Sequence, residues 1–332
     1  MTHSKLERVF VLLPIRVSLD RLVLVYKNVT LEEYDKFITR IQANNIYYPN
    51  TPIKNGISSS MSSYRYNMNF GFGQGGIRLD YRHNTLNQDV KQCDLRIEFN
   101  PNKLHFLDHE YKSKDKSGNP VTKQSEPSKL FFYNLNDVFN KAGKMNPVTN
   151  EWSGHVRAIR ELDIAYDFNL PTEKIIIMNN TGKEHSYYKG THYWGNKHTH
   201  AYFKKYDKKK EREKFKDRMY DKYQHVTRLE YTIRMEKDQG INTLDRIKEW
   251  DMSNYYKVVL YDEKIVNKFD PTIKAHLLCY LHDLMDFKEF TRRYKEKTKR
   301  ALDDLTEINL SAITSKDFKT KILQNIKQYI RN

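Results

Sequence analysis

The chain of 332 residues carries 58 Lys and Arg against 42 Asp and Glu, a formal net charge of +16. This excess favours a polyanionic partner, either nucleic acid or an acidic membrane surface. No apolar run approaches the roughly 18–20 residues that span a bilayer, the N-terminus does not read as a signal peptide, and two cysteines are too few for a disulfide framework. We therefore expect a cytoplasmic, globular protein that binds nucleic acid and no membrane.

The first half of the chain has the pattern of an α+β fold. Thr30 and Glu33 have the spacing of a capping box, which predicts a helix that begins at residue 31. A second helix is expected over Phe131–Ala142, and the polar stretch Lys112–Ser128 before it is expected to be a loop. Four segments have strand character; they are Leu22–Tyr26, Ser63–Phe70, Ile77–Tyr81 and Asp94–Phe99.

A glycine-rich run, Gly71–Gly76, matches the pattern G-x-G-x-x-G of dinucleotide sites. That pattern needs a helix directly after the glycines, whereas Ile77–Tyr81 alternates like a strand. We therefore interpret the run as the turn of a hairpin and not as a nucleotide site.

The second half continues with strands and then becomes helical. Strands are expected over four segments, Val156–Phe168, Lys174–Met178, Ala201–Tyr206 and Val226–Met235. Between the last two, Lys208–Gln224 has helical spacing, with Phe215, Met219 and Tyr223 on one stripe. From about residue 243 the chain indicates a helical module. We expect three regions: an α+β half without catalytic residues over 1–150, a catalytic half over 151–242, and the helical module over 243–332.

Acidic residues lie on one face of the strand Val156–Phe168. Glu161, Asp163 and Asp167 share a side because strand residues alternate. Carboxylates that crowd one face repel each other unless a cation or basic groups lie between them, and oxygen ligands suit Mg²⁺ or Mn²⁺. Asp163 and Asp167 are therefore candidate metal ligands. A solvated strand face is an equal alternative.

A second charged face is predicted near residue 230. Arg228 and Glu230 share a side of the strand Val226–Met235. Glu230 could complete the metal site or act in catalysis, and Arg228 could hold a phosphate. A charged strand face without catalytic function is the alternative interpretation.

Tyr193 is a candidate nucleophile because a glycine, Gly195, and a cationic segment, Lys204–Lys222, follow it. A phenol with a pKa near 10 attacks poorly at neutral pH, so a metal ion or lysines beside it would be needed to stabilise the phenolate. Tyr187 and Tyr188 remain rival nucleophiles. The segment supplies four candidate DNA contacts, Lys204, Lys205, Lys208 and Lys209.

A separate arrangement is built on His198 and His200, which point the same way on a strand. Nicking enzymes with a His-hydrophobe-His motif bind a metal with such a pair. Thr199 fits the central position of that motif poorly. In this alternative the nucleophile would be Tyr220 or Tyr223.

In order and spacing, residues of about 155–235 resemble the trans-acting replication initiators of small rolling-circle plasmids in low-GC Gram-positive bacteria, which are related to nicking relaxases of integrative elements. The family has a two-aspartate strand, matched by Arg160–Phe168, and then a tyrosine, an apolar residue and a glycine, matched by Tyr193–Gly195. A strand ending in Tyr-Asp-Lys, here Tyr206–Lys208, and a Thr-Arg-apolar-Glu strand, here Thr227–Glu230, follow. The continuation Asn196–His198 departs from the family's Ser-Arg or Lys-rich sequence.

The resemblance implies an antiparallel-sheet nicking core, with two related halves suggested by the shared pattern of Leu95–Phe99 and Thr227–Tyr231. It implies that Tyr193 cuts one strand at the double-strand origin, forms a 5′-phosphotyrosyl link and later rejoins the strand. It also implies Mg²⁺ or Mn²⁺, a homodimer and a host UvrD-like helicase as partner. The alternatives are a conjugative relaxase and a non-catalytic origin or operator binder. The helical module is the candidate for origin recognition, through three basic residues, Arg292, Arg293 and Lys297.

Overall fold

The computed structural model has a mixed helix and sheet architecture. It describes residues 12–43, 63–70, 76–84, 94–106, 109–114, 120–125, 127–139, 144–145, 152–153, 156–179, 184–197, 202–214, 218–234, 256–281, 285, 289–314, 318–321 and 324. Within these residues no helix is long and apolar enough to cross a membrane.

The strands of the described residues are β1 (Arg16–Lys27), β2 (Ser63–Phe70), β3 (Ile77–Asn84), β4 (Asp94–Phe99), β5 (His109–Lys114), β6 (Pro120–Ser125), β7 (Lys144–Met145), β8 (Trp152–Ser153), β9 (Val156–Phe168), β10 (Ile175–Asn179), β11 (His185–Tyr188), β12 (Thr191–Trp194), β13 (Tyr202–Asp207), β14 (Thr227–Arg234), β15 (Tyr256–Leu260) and β16 (Thr306–Glu307). The helices are α1 (Leu31–Ala43), α2 (Pro127–Val138), α3 (Lys208–Glu213), α4 (Glu263–Val266), α5 (Pro271–Leu281), α6 (Arg292–Asp303) and α7 (Leu310–Ile313). Short 3-10 helices cover Pro101–Phe106 and Thr172–Lys174.

The largest sheet contains nine strands in the hydrogen-bonded order β11-β12-β13-β14-β9-β1-β4-β3-β2. A second sheet has the order β10-β15-β16, and β5-β6 and β7-β8 form two-stranded sheets. The chain divides into two compact units. Unit 1 comprises Met1–Val17, Ala165–Tyr231 and Asp251–Ser315, and unit 2 comprises Ser18–Ile164, Thr232–Trp250 and Lys316–Asn332.

Unit 2 is built on the antiparallel strands β1, β4, β3 and β2, with Leu24 opposite Ile97 and Leu79 also opposite Ile97. In β4 alternate residues are buried, namely Leu95, Ile97 and Phe99, because one face of the sheet is covered. Aromatic rings of α1 and α2 supply that cover, and Phe37 packs edge-on against Phe131 with 5.5 Å between ring centroids. The capping box is confirmed, since Thr30 and Glu33 exchange side-chain and backbone hydrogen bonds.

Unit 1 places the strands β11 to β14 beside the second sheet. In that sheet Ile177 of β10 lies opposite Val258 of β15. Apolar residues of β10 and β15 form a core with residues of α4, α5 and α6 and with Leu305 after α6; its members are Ile176, Met178, Val259, Val266, Leu277, Leu302 and Leu305. After residue 243 the chain forms the helices α5 and α6, but Tyr256–Leu260 is a strand whose Val259 belongs to this core. The helical module expected over 243–332 stays a prediction.

Two sequence expectations on secondary structure were wrong. Lys112–Ser128 was expected to be a loop, but His109–Lys114 and Pro120–Ser125 pair as an antiparallel hairpin, and α2 begins at Pro127. The helix expected over Lys208–Gln224 ends at Glu213. The strands on either side of the glycine-rich run pair as predicted, while residues 71–75 of the run lie outside the described residues.

Candidate functional site

The hairpin of β11 and β12 sets the position of Tyr193. Its two turn residues, Lys189 and Gly190, both have positive φ values, 48° and 82°, as a type I′ turn requires. Such a turn matches the twist of the two strands and fixes their register. As a result Tyr188 lies opposite Thr191, and Ser186 lies opposite Tyr193.

Tyr193 lies directly opposite Lys204 of β13. Residues opposite each other in neighbouring strands project from the same face of the sheet, so the half-buried tyrosine and the lysine share one face. The Tyr193 ring is nearly parallel to the ring of Tyr202, with 6.1 Å between centroids and 16° between planes. The Lys204 ammonium lies 5.6 Å from the centroid of the Tyr202 ring. Tyr193 therefore lies in an aromatic surface that carries a positive charge.

Glu230 of β14 holds that positive charge in place. Its Oε1 forms an ion pair with Lys204 Nζ, and its Oε2 accepts a hydrogen bond of 3.3 Å from the Tyr206 hydroxyl. The Lys208 ammonium lies 3.5 Å from the same hydroxyl. A carboxylate with two such contacts fixes the lysine opposite Tyr193. Unit 1 thus brings Tyr193, Lys204 and Glu230 to one region.

Lys208 stands at the junction of β13 and α3. Asp207 ends the strand and caps the helix, because its side chain accepts a hydrogen bond of 3.0 Å from the Lys210 backbone N–H. The Lys208 side chain is buried and pairs with Glu211. Burial lowers the pKa of its ammonium, the guanidinium of Arg228 lowers it further, and Glu211 opposes both. Lys208 is therefore an interior cation with little surface for a DNA phosphate.

Arg228 and Asp167 form a buried two-point ion pair. Arg228 Nε lies 2.6 Å from Asp167 Oδ1, and Nη2 lies 2.7 Å from Oδ2. The Tyr220 hydroxyl donates a hydrogen bond to Asp167 Oδ2. Burial and the neighbouring Asp167 raise the pKa of Tyr220 to about 12. This phenol is held protonated, which is the opposite of what a nucleophile needs.

The other carboxylates of β9 lie in unit 2 and also contact arginines. Glu161 lies 2.9 Å from Arg21 Nη2, 3.2 Å from Arg234 Nη2 and 3.5 Å from Arg96 Nη2. Asp163 Oδ2 lies 3.9 Å from Arg21 Nη1. The sequence showed that these carboxylates share a strand face and allowed basic groups between them. Arginines from three other strands provide those groups.

The predicted metal ligands Asp163, Asp167 and Glu230 each contact a basic side chain. Across the described ranges, no group of three or more His, Cys, Asp or Glu side chains could hold a metal ion. A divalent cation would have to displace Arg228 from both oxygens of Asp167 and Lys204 from Glu230. As arranged, these residues do not fit a site for Mg²⁺ or Mn²⁺, and their assignment as ligands stays a prediction.

The remaining candidate DNA contacts differ in exposure. Lys205 is buried, and its ammonium donates a hydrogen bond of 2.9 Å to the carbonyl of Ile175. Lys209 donates a bond of 2.8 Å to the carbonyl of Tyr223. The three candidates on α6 are exposed; they are Arg292, Arg293 and Lys297. Of the seven candidates, these three have the most open access to a phosphate.

The opposite face of the β11–β12 hairpin carries stacked aromatic rings that the sequence interpretation missed. His185 Nε2 and His192 Nδ1 lie 3.2 Å apart, and the His185 ring stacks on Trp194 with 4.9 Å between centroids. The Lys189-Gly190 turn would have predicted this pairing, because a two-residue turn fixes which residues are neighbours. His198 and His200 lie outside the described residues.

The chain matches no protein-family model, and no curated protein sequence matches it at a significant level.

Proposed function

We propose that this protein is a plasmid rolling-circle replication initiator that nicks and rejoins DNA with Tyr193 as the nucleophile. The observation that carries the proposal is the position of Tyr193 opposite Lys204, whose ammonium Glu230 holds on the same face. A half-buried phenol beside a fixed cation can attack a phosphodiester and be stabilised as it gains negative charge. The net charge of +16 supports a DNA substrate.

In the nicking step, Tyr193 Oη forms a bond to the scissile phosphorus as the bond from phosphorus to the 3′ oxygen breaks. The phenolic proton passes to water, and the departing 3′ oxygen takes a proton from water. The products are a 5′-phosphotyrosyl link and a free 3′-OH that primes synthesis. The Lys204 ammonium faces the charge that develops on the phosphoryl oxygens. Joining is the reverse attack by a 3′-OH, which releases Tyr193.

The positive charge in this step comes from Lys204. The carboxylates predicted as ligands are held by basic side chains, so no step is assigned to Mg²⁺ or Mn²⁺. The resemblance implies a requirement for one of these ions, and that requirement stays a prediction. Binding of the double-strand origin is assigned to the exposed cations of α6. A homodimer and a host UvrD-like helicase complete the proposal.

The test uses supercoiled plasmid that carries the protein's own gene with its flanking DNA, incubated with the protein in Mg²⁺, in Mn²⁺ or in EDTA. We expect relaxed plasmid and a covalent protein–DNA band that resists denaturation in detergent. Tyr193→Phe should abolish the band. Tyr187→Phe and Tyr188→Phe, the rival nucleophiles, should retain it, and so should Tyr220→Phe.

Three results would count against the proposal. Absence of both nicking and adduct with the unaltered protein would favour a non-catalytic origin or operator binder. An adduct with Tyr193→Phe would move the nucleophile to another tyrosine. Cleavage at a transfer origin, mapped by sequencing the nicked strand, would identify a conjugative relaxase.

A further inference from the structure

We propose that the end of the β11–β12 hairpin is a stacking finger for unpaired DNA bases. The finger consists of Tyr187, Tyr188, Lys189 and Gly190. Its identification as a DNA contact rests on the proposed function, but the observations that define it are independent of the nucleophile.

The finger exposes two aromatic rings in succession. The Tyr187 side chain is 63% exposed and that of Tyr188 is 60% exposed. Consecutive strand residues project to opposite faces, so both faces of the hairpin are uncovered at this end. Further along the same hairpin Trp194 is buried. The two tyrosines therefore stand beyond the packed part of their own unit, where they contribute little to its core.

The finger is ordered before it binds anything. The type I′ turn of Lys189 and Gly190 ties the two strands together directly after Tyr188. The Tyr187 ring rests against His192 with 4.7 Å between centroids, and the Lys189 ammonium lies 5.0 Å from the centroid of the Tyr188 ring. Aromatic side chains held in this way lose little conformational freedom when a ligand stacks on them.

The chemistry of the finger fits a single strand better than a duplex. Exposed aromatic faces accept the flat faces of unpaired bases, and a neighbouring cation meets the phosphate between them. In a duplex the base faces are already stacked, so only Lys189 would find a partner. An aromatic pair with a lysine, in a chain of net charge +16, therefore indicates an unpaired strand or a melted junction.

The finger also lies close to the proposed nucleophile along the hairpin. Ser186 is opposite Tyr193, and Tyr188 lies two residues further along β11 on the same face. Two residues of a strand span about 7 Å. A base stacked on Tyr188 would thus belong to a nucleotide near the phosphate that Tyr193 attacks, which would orient the strand for cleavage.

The test measures binding in a Tyr193→Phe background, so that cleavage cannot contribute. The probe is a single-stranded oligonucleotide of mixed sequence that contains 2-aminopurine, whose fluorescence falls on stacking, with the matching duplex as a second probe. Tyr187→Ala and Tyr188→Ala should each weaken single-strand binding by roughly 5- to 150-fold, the range that one stacked base contributes. Tyr187→Phe and Tyr188→Phe should bind as the parent does, because they keep the rings.

Tyr133→Ala is the matched control, because Tyr133 is 58% exposed but lies on α2; its affinity should not change. Equal single-strand affinity for the alanine variants and the parent would overturn the finger. The finger would also be overturned if the alanine variants kept their single-strand affinity but changed their oligomeric state in size-exclusion chromatography. That result would assign the surface to contact with a second copy of the chain. Loss of binding without any covalent adduct from the unaltered protein would support the finger and reject the proposed nicking activity.

Discussion

The Arg228 guanidinium binds both oxygens of the Asp167 carboxylate, at 2.6 and 2.7 Å, and the two side chains are 1% and 0% exposed. An ion pair with two parallel hydrogen bonds is among the strongest polar contacts in proteins. Its burial means that neither charge can turn to water if the other is removed. Arg228 was predicted to hold a phosphate, but its side chain is committed to Asp167.

The first prediction concerns this pair. Asp167→Leu or Arg228→Met alone should lower the free energy of unfolding by about 3–5 kcal/mol, because each leaves an uncompensated buried charge. The double variant should recover most of that loss. Urea denaturation measures both effects. Glu263→Ala is the control: it removes the partner of Lys174 in an exposed pair and should cost about 1 kcal/mol or less. The prediction would be contradicted if Asp167→Leu and Arg228→Met lowered the free energy of unfolding no more than Glu263→Ala does.

The second prediction concerns Glu230. Glu230→Gln should slow formation of the tyrosyl adduct by about 10- to 100-fold, because Lys204 is no longer held opposite Tyr193 and a small misplacement of a catalytic group has a large effect on rate. Single-strand affinity should be unchanged or higher, since a negative charge is removed. The measurement is a time course of adduct formation, with Glu263→Gln as the control. An unaltered rate would show that Glu230 does not position Lys204 for the reaction.

The third prediction concerns the pH dependence of stability. The pKa of Tyr220 is raised to about 12 in the folded protein, against about 10 in an unfolded chain. Below pH 10 both states keep the proton, and the contribution of Tyr220 is fully present. Between about pH 10 and 12 the unfolded state loses the proton first, so the free energy of unfolding falls as pH rises.

Unfolding free energies of the parent and of Tyr220→Phe, compared from pH 8 to 12, test this effect. The phenylalanine variant should lose less stability over the upper part of the range. In an absorbance titration, this variant should lack one phenol that loses its proton only near pH 12. Parallel stability curves for the two proteins would contradict the prediction.

The fourth prediction concerns α6. Arg292→Gln with Arg293→Gln should weaken duplex origin binding and reduce its dependence on salt. The slope of log affinity against log salt should become shallower by about 0.9 for each phosphate that the protein no longer neutralises. Lys264→Gln with Lys268→Gln removes the same charge from exposed positions outside α6 and should leave the slope nearly unchanged. If both double variants changed the salt slope equally, α6 would contribute only to the net charge of the protein and not to a specific DNA contact.

Local patterns in the sequence predicted much of the fold. The capping box was predicted correctly because both partners lie within four residues. Seven of the nine strands of the large sheet were predicted, while β11 and β12 were not. The hairpin of β5 and β6 was missed because its strands are polar and their pairing depends on backbone hydrogen bonds. Local composition contains no signal for that pairing.

The helix predicted over Lys208–Gln224 failed for a tertiary reason. In a continuous helix, Lys209 and Tyr223 would lie about 21 Å apart along the axis. The Lys209 ammonium instead bonds the Tyr223 carbonyl at 2.8 Å, and the Tyr220 hydroxyl reaches Asp167. Contacts with a strand about fifty residues earlier determine where this helix ends.

The sequence predicted which candidate residues share a strand face, but not which side chains form ion pairs with each other. Alternation along β14 placed Arg228 and Glu230 together. It could not show that Arg228 would meet Asp167 and that Lys204 would meet Glu230, because those pairs depend on the register between strands that are distant in sequence. The sequence allowed either a metal ion or basic groups beside these carboxylates, and it could not show which arginines and lysines would contact them.

In the turn of the β11–β12 hairpin, the residue at position 189 affects both the stability of the hairpin and the proposed binding of single-stranded DNA. Lys189 adopts a left-handed conformation, φ 48°, that disfavours most side chains by roughly 1–2 kcal/mol, whereas Asn-Gly suits the same turn well. Lys189→Asn should therefore give a hairpin that is more resistant to heat and yet binds a single strand less tightly. Thermal tolerance and substrate affinity are opposed at this one position, so selection for one would reduce the other.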